Sequence, residues 1–189
     1  MTAATVFDLL ERLASLSRIW FRQNPLLAEL QPIQLSALMY LARCNHYSNT
    51  PLGVTDYLGL TKGTVSQSLK ALEAKGLISK SQSERDKRSV HLVLSDAARE
   101  LLDALLPPTF LAEGEAGMGE RRAQLQDLLG ELLRNVQLST DVPSFGLCAS
   151  CRFHQQVDGQ PFCGLTQEFL AHGDEALICR EHQAVEEPA

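Results

Sequence analysis

The sequence predicts a mainly helical fold with a small β component (mainly α, α+β), followed by a small cysteine-rich module. Three observations carry this. Apolar residues recur at helical spacing through most of the first 139 residues. Between Leu77 and Leu94 that rhythm gives way to two short β-prone runs around a charged tip. Four of the five cysteines fall in the last quarter of the 189 residues.

Val6 to Phe21 sets Leu9, Leu10, Leu13, Leu16, Ile19 and Trp20 on an apolar face broader than a lone surface helix needs. Asn24-Pro25 ends it. Pro32 suits the first turn of a second helix running to about Cys44, with Ile33, Leu35, Leu38, Met39 and Leu41 inward. Cys44 then reads as a small core residue, and His46 and Tyr47 as part of an exposed polar loop. Thr50-Pro51 opens a third helix to about Leu58, closed by Gly59. Thr61 caps a fourth, in which Val65, Leu69 and Leu72 share one face and Gly76 is the stop. Leu77 to Lys80 and Ser89 to Leu94 read as paired strands. Ser95 caps a fifth helix, Asp96 to Leu106, interrupted by Pro107-Pro108. Residues 113–119 are flexible in composition, and a last helix runs from about Glu120 to Leu138. Its apolar stripe and that of the first helix would bury each other across a two-fold axis.

Helices three and four, joined by a Gly-containing turn, form a helix-turn-helix at about residues 50–76, and the hairpin at 77–94 makes it winged. Opposite its apolar stripe the fourth helix carries Lys62, Thr64, Ser66, Gln67 and Lys70 and no carboxylate. Such a face suits a major groove, where Gln reads adenine and Ser or Thr reaches most bases. Arg85, Lys87 and Arg88 at the hairpin tip add cations for phosphates. The net charge of −6 conceals this asymmetry. Residues 61–91 hold seven basic and three acidic side chains, a net +4, so the remainder carries −10. No signal peptide and no membrane span are indicated, so the expected location is the cytoplasm, where thiols stay reduced.

Three runs resemble the MarR (multiple antibiotic resistance regulator) family of transcription factors. They are Val54-Thr55-Asp56-Tyr57-Leu58-Gly59-Leu60-Thr61, Gly63-Thr64-Val65-Ser66 and Leu72-Glu73-Ala74-Lys75-Gly76-Leu77-Ile78. Asp86-Lys87-Arg88 and Leu92-Val93-Leu94-Ser95 complete the set. The resemblance covers residues 1–139 and implies a homodimer with interlocked terminal helices, reading a pseudo-palindromic operator in double-stranded DNA. It implies that Arg88 enters the minor groove and that Asp86 braces the neighbouring basic side chains. Gly53 departs from it, standing where the family usually has an acidic or bulkier helix former. The family's effectors vary, so a small-molecule effector stays open.

Residues 140–189 lie outside that pattern. From Asp141 onward two arginines face eight carboxylates, and the cysteines run C-x2-C-x2-H-x8-C-x15-C-x2-H. A segment this short is commonly stapled by a metal. Cys148, Cys151, Cys163 and Cys179 are the expected ligands, with His182 as alternate. Four thiolates favour a [4Fe–4S] cluster, for which Phe153 and Phe162 would supply an apolar shell. Zn2+ is the alternative, held for example by Cys148, Cys151, Cys179 and His182. GxSxG, Walker, HExxH and S-x-x-K motifs are absent from the sequence, so no enzyme is expected. The expected function is a DNA-binding transcriptional regulator responsive to redox state or metal. The alternatives are a small-molecule-sensing regulator with a structural zinc module, and a protein–protein adaptor.

Overall fold

The structure is a computed structural model and describes residues 4–82, 90–140 and 143–185. Seven α-helices are ordered as α1 (Val6–Gln23), α2 (Pro32–Leu41), α3 (Pro51–Leu58), α4 (Lys62–Ala74), α5 (Asp96–Leu105), α6 (Thr109–Ala116) and α7 (Arg121–Leu138) among the described residues. Strands β1 (Ile78–Gln82) and β2 (Val90–Leu94) form an antiparallel pair after α4, with Ile78 opposite Leu94 and Gln82 opposite Val90. A second sheet, β3 (His154–Val157), β4 (Gln160–Cys163) and β5 (Glu168–Phe169), is antiparallel in that order. The predicted wing-tip residues Arg85, Asp86, Lys87 and Arg88 lie outside the described residues.

The core forms around α2, whose Leu35, Ala37, Leu38, Tyr40 and Leu41 are all buried; a helix apolar on nearly every side belongs inside. Against it pack Val54, the α4 stripe Val65, Leu69 and Leu72, then Ile78, Leu92 and Leu94 of the hairpin and Ala98, Leu102 and Leu105 of α5. The predicted punctuation of the helix-turn-helix holds. The Thr50 side chain caps α3, Gly59 closes it at φ 62°, Thr61 caps α4 and Gly76 turns the chain at φ 68°. Only glycine enters that left-handed region without strain.

Three local expectations need correction. The second helix stops at Leu41, not Cys44, because the chain turns there so that Cys44 can pair with Ile178 of the cysteine module in an isolated parallel bridge. The stretch read as flexible at 113–119 is mostly helical, since α6 runs to Ala116. The loop carrying His46 and Tyr47 is a docking seat, described below, although His46 itself is exposed. Gly53 has a packing reason. A Cβ there would fall on the Ser48 carbonyl oxygen and lie 2.8 Å from the Tyr40 hydroxyl.

Within one chain, α1 and α7 bury no residue. Val6, Phe7, Leu9, Leu10 and Leu13 on α1 and Leu128, Leu129, Leu133 and Val136 on α7 remain exposed. No described helix is long and apolar enough to cross a membrane.

Candidate DNA-contacting face and cysteine site

On α4 the amphipathic split is clean. Val65, Leu69 and Leu72 are buried, while Lys62, Ser66, Gln67 and Lys70 are exposed. Burial of the stripe fixes the rotation of the helix and so aims the polar face outward. Thr64 is half-buried, its hydroxyl 2.9 Å from that of the capping Thr61 and its N–H donating to the Thr61 Oγ at 3.2 Å. It therefore serves the N-terminus as much as any base. Glu73, the one carboxylate of α4, is paired with Lys80 of β1. Beneath the helix a groove of about 380 Å³ is lined by Pro51, Leu52, Thr55, Val65 and Leu69, with Lys62, Ser66 and Lys80 among its polar lining residues.

The four predicted cysteines come together although 30 residues lie between the first and the last. Cys148, Cys151, Cys163 and Cys179 all line one cavity, with Tyr47, Phe153, Leu165 and Leu170 beside the polar Asn45, His154, Thr166 and Glu181. Cys148 leads a 3-10 turn to Ser150, Cys163 ends β4, and Cys179 follows the Ile178 bridge. Burial, and after it the neighbouring thiols Cys179, Cys163 and Cys151, pushes Cys148 up to about 12. A thiolate there needs a cation, which a metal would supply. The cavity is small, about 20 Å³, room for one water-sized body, so a cubane cluster enters only if the thiols turn outward. Among the described residues no group of three or more Cys, His, Asp or Glu side chains is arranged to hold a single metal ion. The donor set fits a metal centre; its spacing is not that of a closed single-ion site.

His182 stands apart from the thiols. Its Nδ1 lies 2.7 Å from the Ser144 Oγ and its Nε2 3.0 Å from the Ser150 Oγ, so both nitrogens have partners and the ring is absent from the cavity wall. Burial lowers its pKa, which keeps it neutral. A Cβ on Gly146 would collide with this ring. The serines, not the thiols, hold His182.

Sequence reasoning missed the residues behind the cysteines. Ile178 N–H donates to the Arg43 carbonyl at 2.8 Å, and Asn45 N–H donates to the Ile178 carbonyl at 2.9 Å. Arg180 N–H donates to the Ser48 Oγ at 2.9 Å, and its Nε reaches the Asp56 carboxylate of α3 at 2.8 Å. Tyr47 donates to Glu168 at 2.6 Å, and His46 lies 3.1 Å from Asp174. Phe145 meets Tyr40 and Tyr57 edge-on. The loop 44–49 is thus gripped by the cysteine module on one side. On the other, Leu92 N–H of β2 donates to the Asn49 carbonyl at 2.7 Å. Asn45 is 1% exposed, and its Oδ1 accepts from the Ser48 Oγ at 2.7 Å. Its Nδ2 is buried with no hydrogen-bond partner among the described residues, and Asn45 is one of the residues lining the thiol cavity. Burial raises the Cys179 thiol, and donors on Asn45, the Glu181 backbone and Ser48 oppose that rise by favouring its thiolate. The one sequence signal for any of this was Arg180, one of two basic residues in an acidic tail.

Residues 28–89 match the model of the MarR family. No curated protein matches the chain. Among solved structures, FabT of Streptococcus pneumoniae in complex with DNA is similar at 24% identity and a TM-score of 0.56, covering 71% of this chain and 94% of that one. The S. aureus MepR–DNA complex gives 22%, 0.53, 70% and 99%. A MarR transcriptional regulator from Methanosarcina mazei gives 18%, 0.57, 71% and 98%. Over about seven-tenths of its length, with the helix-turn-helix segment matched in sequence as well, the chain has the winged-helix fold of MarR regulators.

Proposed function

We propose that this chain is a homodimeric, DNA-binding transcriptional regulator whose cysteine module holds a metal centre that reports redox state or metal supply. The observation that carries the DNA reading is the outward face of α4, where Lys62, Ser66, Gln67 and Lys70 are exposed on a helix whose other side is locked into the core. Lys62 and Lys70 supply phosphate contacts, and Gln67 and Ser66 read base edges. Arg85, Lys87 and Arg88 of the hairpin tip, which lies outside the described residues, are the further phosphate contacts that the family resemblance implies, with Asp86 the residue it implies would brace them. Similarity to FabT and MepR, each solved with DNA, supports the same role here. The exposed leucines of α1 and α7 are the surface on which two copies join, giving a two-fold protein that matches a pseudo-palindromic operator.

For the module, Cys148, Cys151, Cys163 and Cys179 are the ligands. Engagement of His182 by two serines argues against a Cys3His zinc site. Four thiols around one cavity are the donor set of a [4Fe–4S] cluster, which would supply a redox-sensitive charge and would require the thiols to turn outward to admit it. Zn2+ in the same four thiols is the other occupant. The groove beneath α4, with Lys62 and Lys80 at its rim, favours an anionic small-molecule effector as a second reading.

Selection of duplexes from a random pool, followed by a salt titration, tests the DNA role. Affinity should fall with a log–log slope of about −0.9 per phosphate contact, and a chain that enriches no duplex refutes it. Anaerobic purification with an absorption spectrum and metal analysis tests the centre. A brown protein with iron and sulfide supports the cluster, a colourless one with stoichiometric zinc replaces it, and a metal-free one removes the centre.

A further inference from the structure

We infer that residues 144–148 and 177–179 form a joint that locks α7 to the helix-turn-helix, so that two joined chains read half-sites of one fixed spacing. The inference rests on the homodimeric DNA-binding reading, with α7 at the contact between copies. It adds what sets the distance between the two recognition helices.

The joint is a ladder of three backbone segments with Ile178 in the middle, bridged in parallel to Cys44 and antiparallel to Leu147. On one side the Ile178 N–H donates to the Arg43 carbonyl at 2.8 Å, and the Asn45 N–H donates to the Ile178 carbonyl at 2.9 Å. On the other, the Cys179 N–H donates to the Gly146 carbonyl at 2.9 Å and the Cys148 N–H to the Leu177 carbonyl at 3.1 Å. Side chains complete it at both ends. Gln137, in the last turn of α7, donates from its Nε2 to the Ser144 carbonyl, and the Ser144 hydroxyl donates to the His182 carbonyl at 2.8 Å. Phe145 sets its ring edge-on to Tyr40 of α2 and Tyr57 of α3, with centroids 6.0 and 5.2 Å away. Its φ of 44° is an independent sign of constraint, since an aromatic residue enters the left-handed region only where its surroundings hold it there. No sulfur takes part in any of these bonds.

The joint matters because α7 buries no residue within one chain, so packing alone does not fix its direction. The tie at its C-terminal end does. Tyr57 lies on α3, and α3 packs directly on α4. With two copies of α7 joined across a two-fold axis, the tie in each chain sets where its α4 face stands. One added base pair shifts a half-site by about 3.4 Å and turns it by about a tenth of a turn. A stiff joint does not follow that movement, whereas a loosened one does.

Gln137 and Phe145 are positioning residues in this scheme; neither belongs to the α4 face. The test uses the full-length protein and a duplex it selects from a random pool. That duplex is then remade with one or two base pairs added or removed between half-sites, and once more with a single half-site. Wild type should lose affinity about tenfold for each base pair of change. Gln137→Met keeps the length of the side chain without its donor, and Phe145→Ala removes the ring. Both variants should bind the single half-site as wild type does, yet vary only within about threefold across the spacer series. Variants that discriminate spacing as sharply as wild type overturn the joint. So do variants that lose half-site affinity while keeping the spacing preference, because the residues then serve stability alone. A wild type indifferent to spacing, or one that selects a lone half-site, overturns it as well. A wild type that enriches no duplex refutes the DNA-binding reading itself and takes the joint with it.

Discussion

Gly53→Ala adds a single methyl in the first turn of α3 and should destabilise the protein. The added carbon would fall on the Ser48 carbonyl oxygen and approach the Tyr40 hydroxyl to 2.8 Å. Those two groups are already bonded to each other at 2.9 Å in the buried interior. Alanine gains about 1 kcal/mol over glycine from helix propensity. Against that stand about 1–3 kcal/mol for overpacking and about 1 kcal/mol if the Tyr40–Ser48 bond opens. The net is a loss of about 2 kcal/mol, or about 4–8 °C in Tm for a domain of this size. Urea and thermal unfolding followed by circular dichroism would measure it. Gly114→Ala is the control, because its Cβ meets nothing within 4 Å on α6, and it should be neutral or stabilising. If Gly53→Ala is as stable as wild type while Gly114→Ala behaves as expected, the packing explanation for glycine at position 53 is wrong.

Other outcomes follow from the same contacts. Replacing Lys70 by alanine should weaken binding to every duplex alike and reduce the salt slope by about 0.9, read in a fluorescence-anisotropy titration. Leu133→Glu, placed on the exposed stripe of α7, should shift sedimentation from dimer to monomer. Unchanged sedimentation would show that α7 is not the contact between copies. Burial pushes the Cys44 thiol up from its ordinary value of 9.0 to about 12. Because the folded pKa is the higher one, this stability is fully present below about pH 9 and is lost as pH rises toward 12, at about 1.4 kcal/mol per pH unit. Cys44→Ala should flatten that alkaline decline in urea midpoints measured between pH 9 and 11.

What the sequence made legible was local. Val65, Leu69 and Leu72 announced the buried side of α4, and Gly59 and Gly76 marked turns that only a residue without a side chain makes easily. That the four thiols of the tail would gather was legible from their spacing, and they do line one cavity. What stayed hidden was decided at long range. Nothing near Asn45 or Ser48 says that residues more than 130 positions away cover them, and an Arg180–Asp56 pair 124 residues apart leaves no periodic trace. Cys44 leaves its helix early for the same reason, to meet Ile178. His182 misled because a C-x2-H interval looks the same whether the ring faces a metal or two serines.

Docking of the cysteine module against the first turn of the helix-turn-helix has a consequence for the chain's architecture. An appended tail can ordinarily be clipped off without harm, but removal of residues 140–189 would strip the Arg43 carbonyl and the Asn45 N–H of their partners, take the Arg180 donor from the Ser48 hydroxyl and bare the rings of Tyr40 and Tyr57. Trimmed to residues 1–139, the remaining chain should therefore be frail and prone to clump. The extension is a keystone set behind the reading head, and any relative that loses it must also rebuild the loop it rests on.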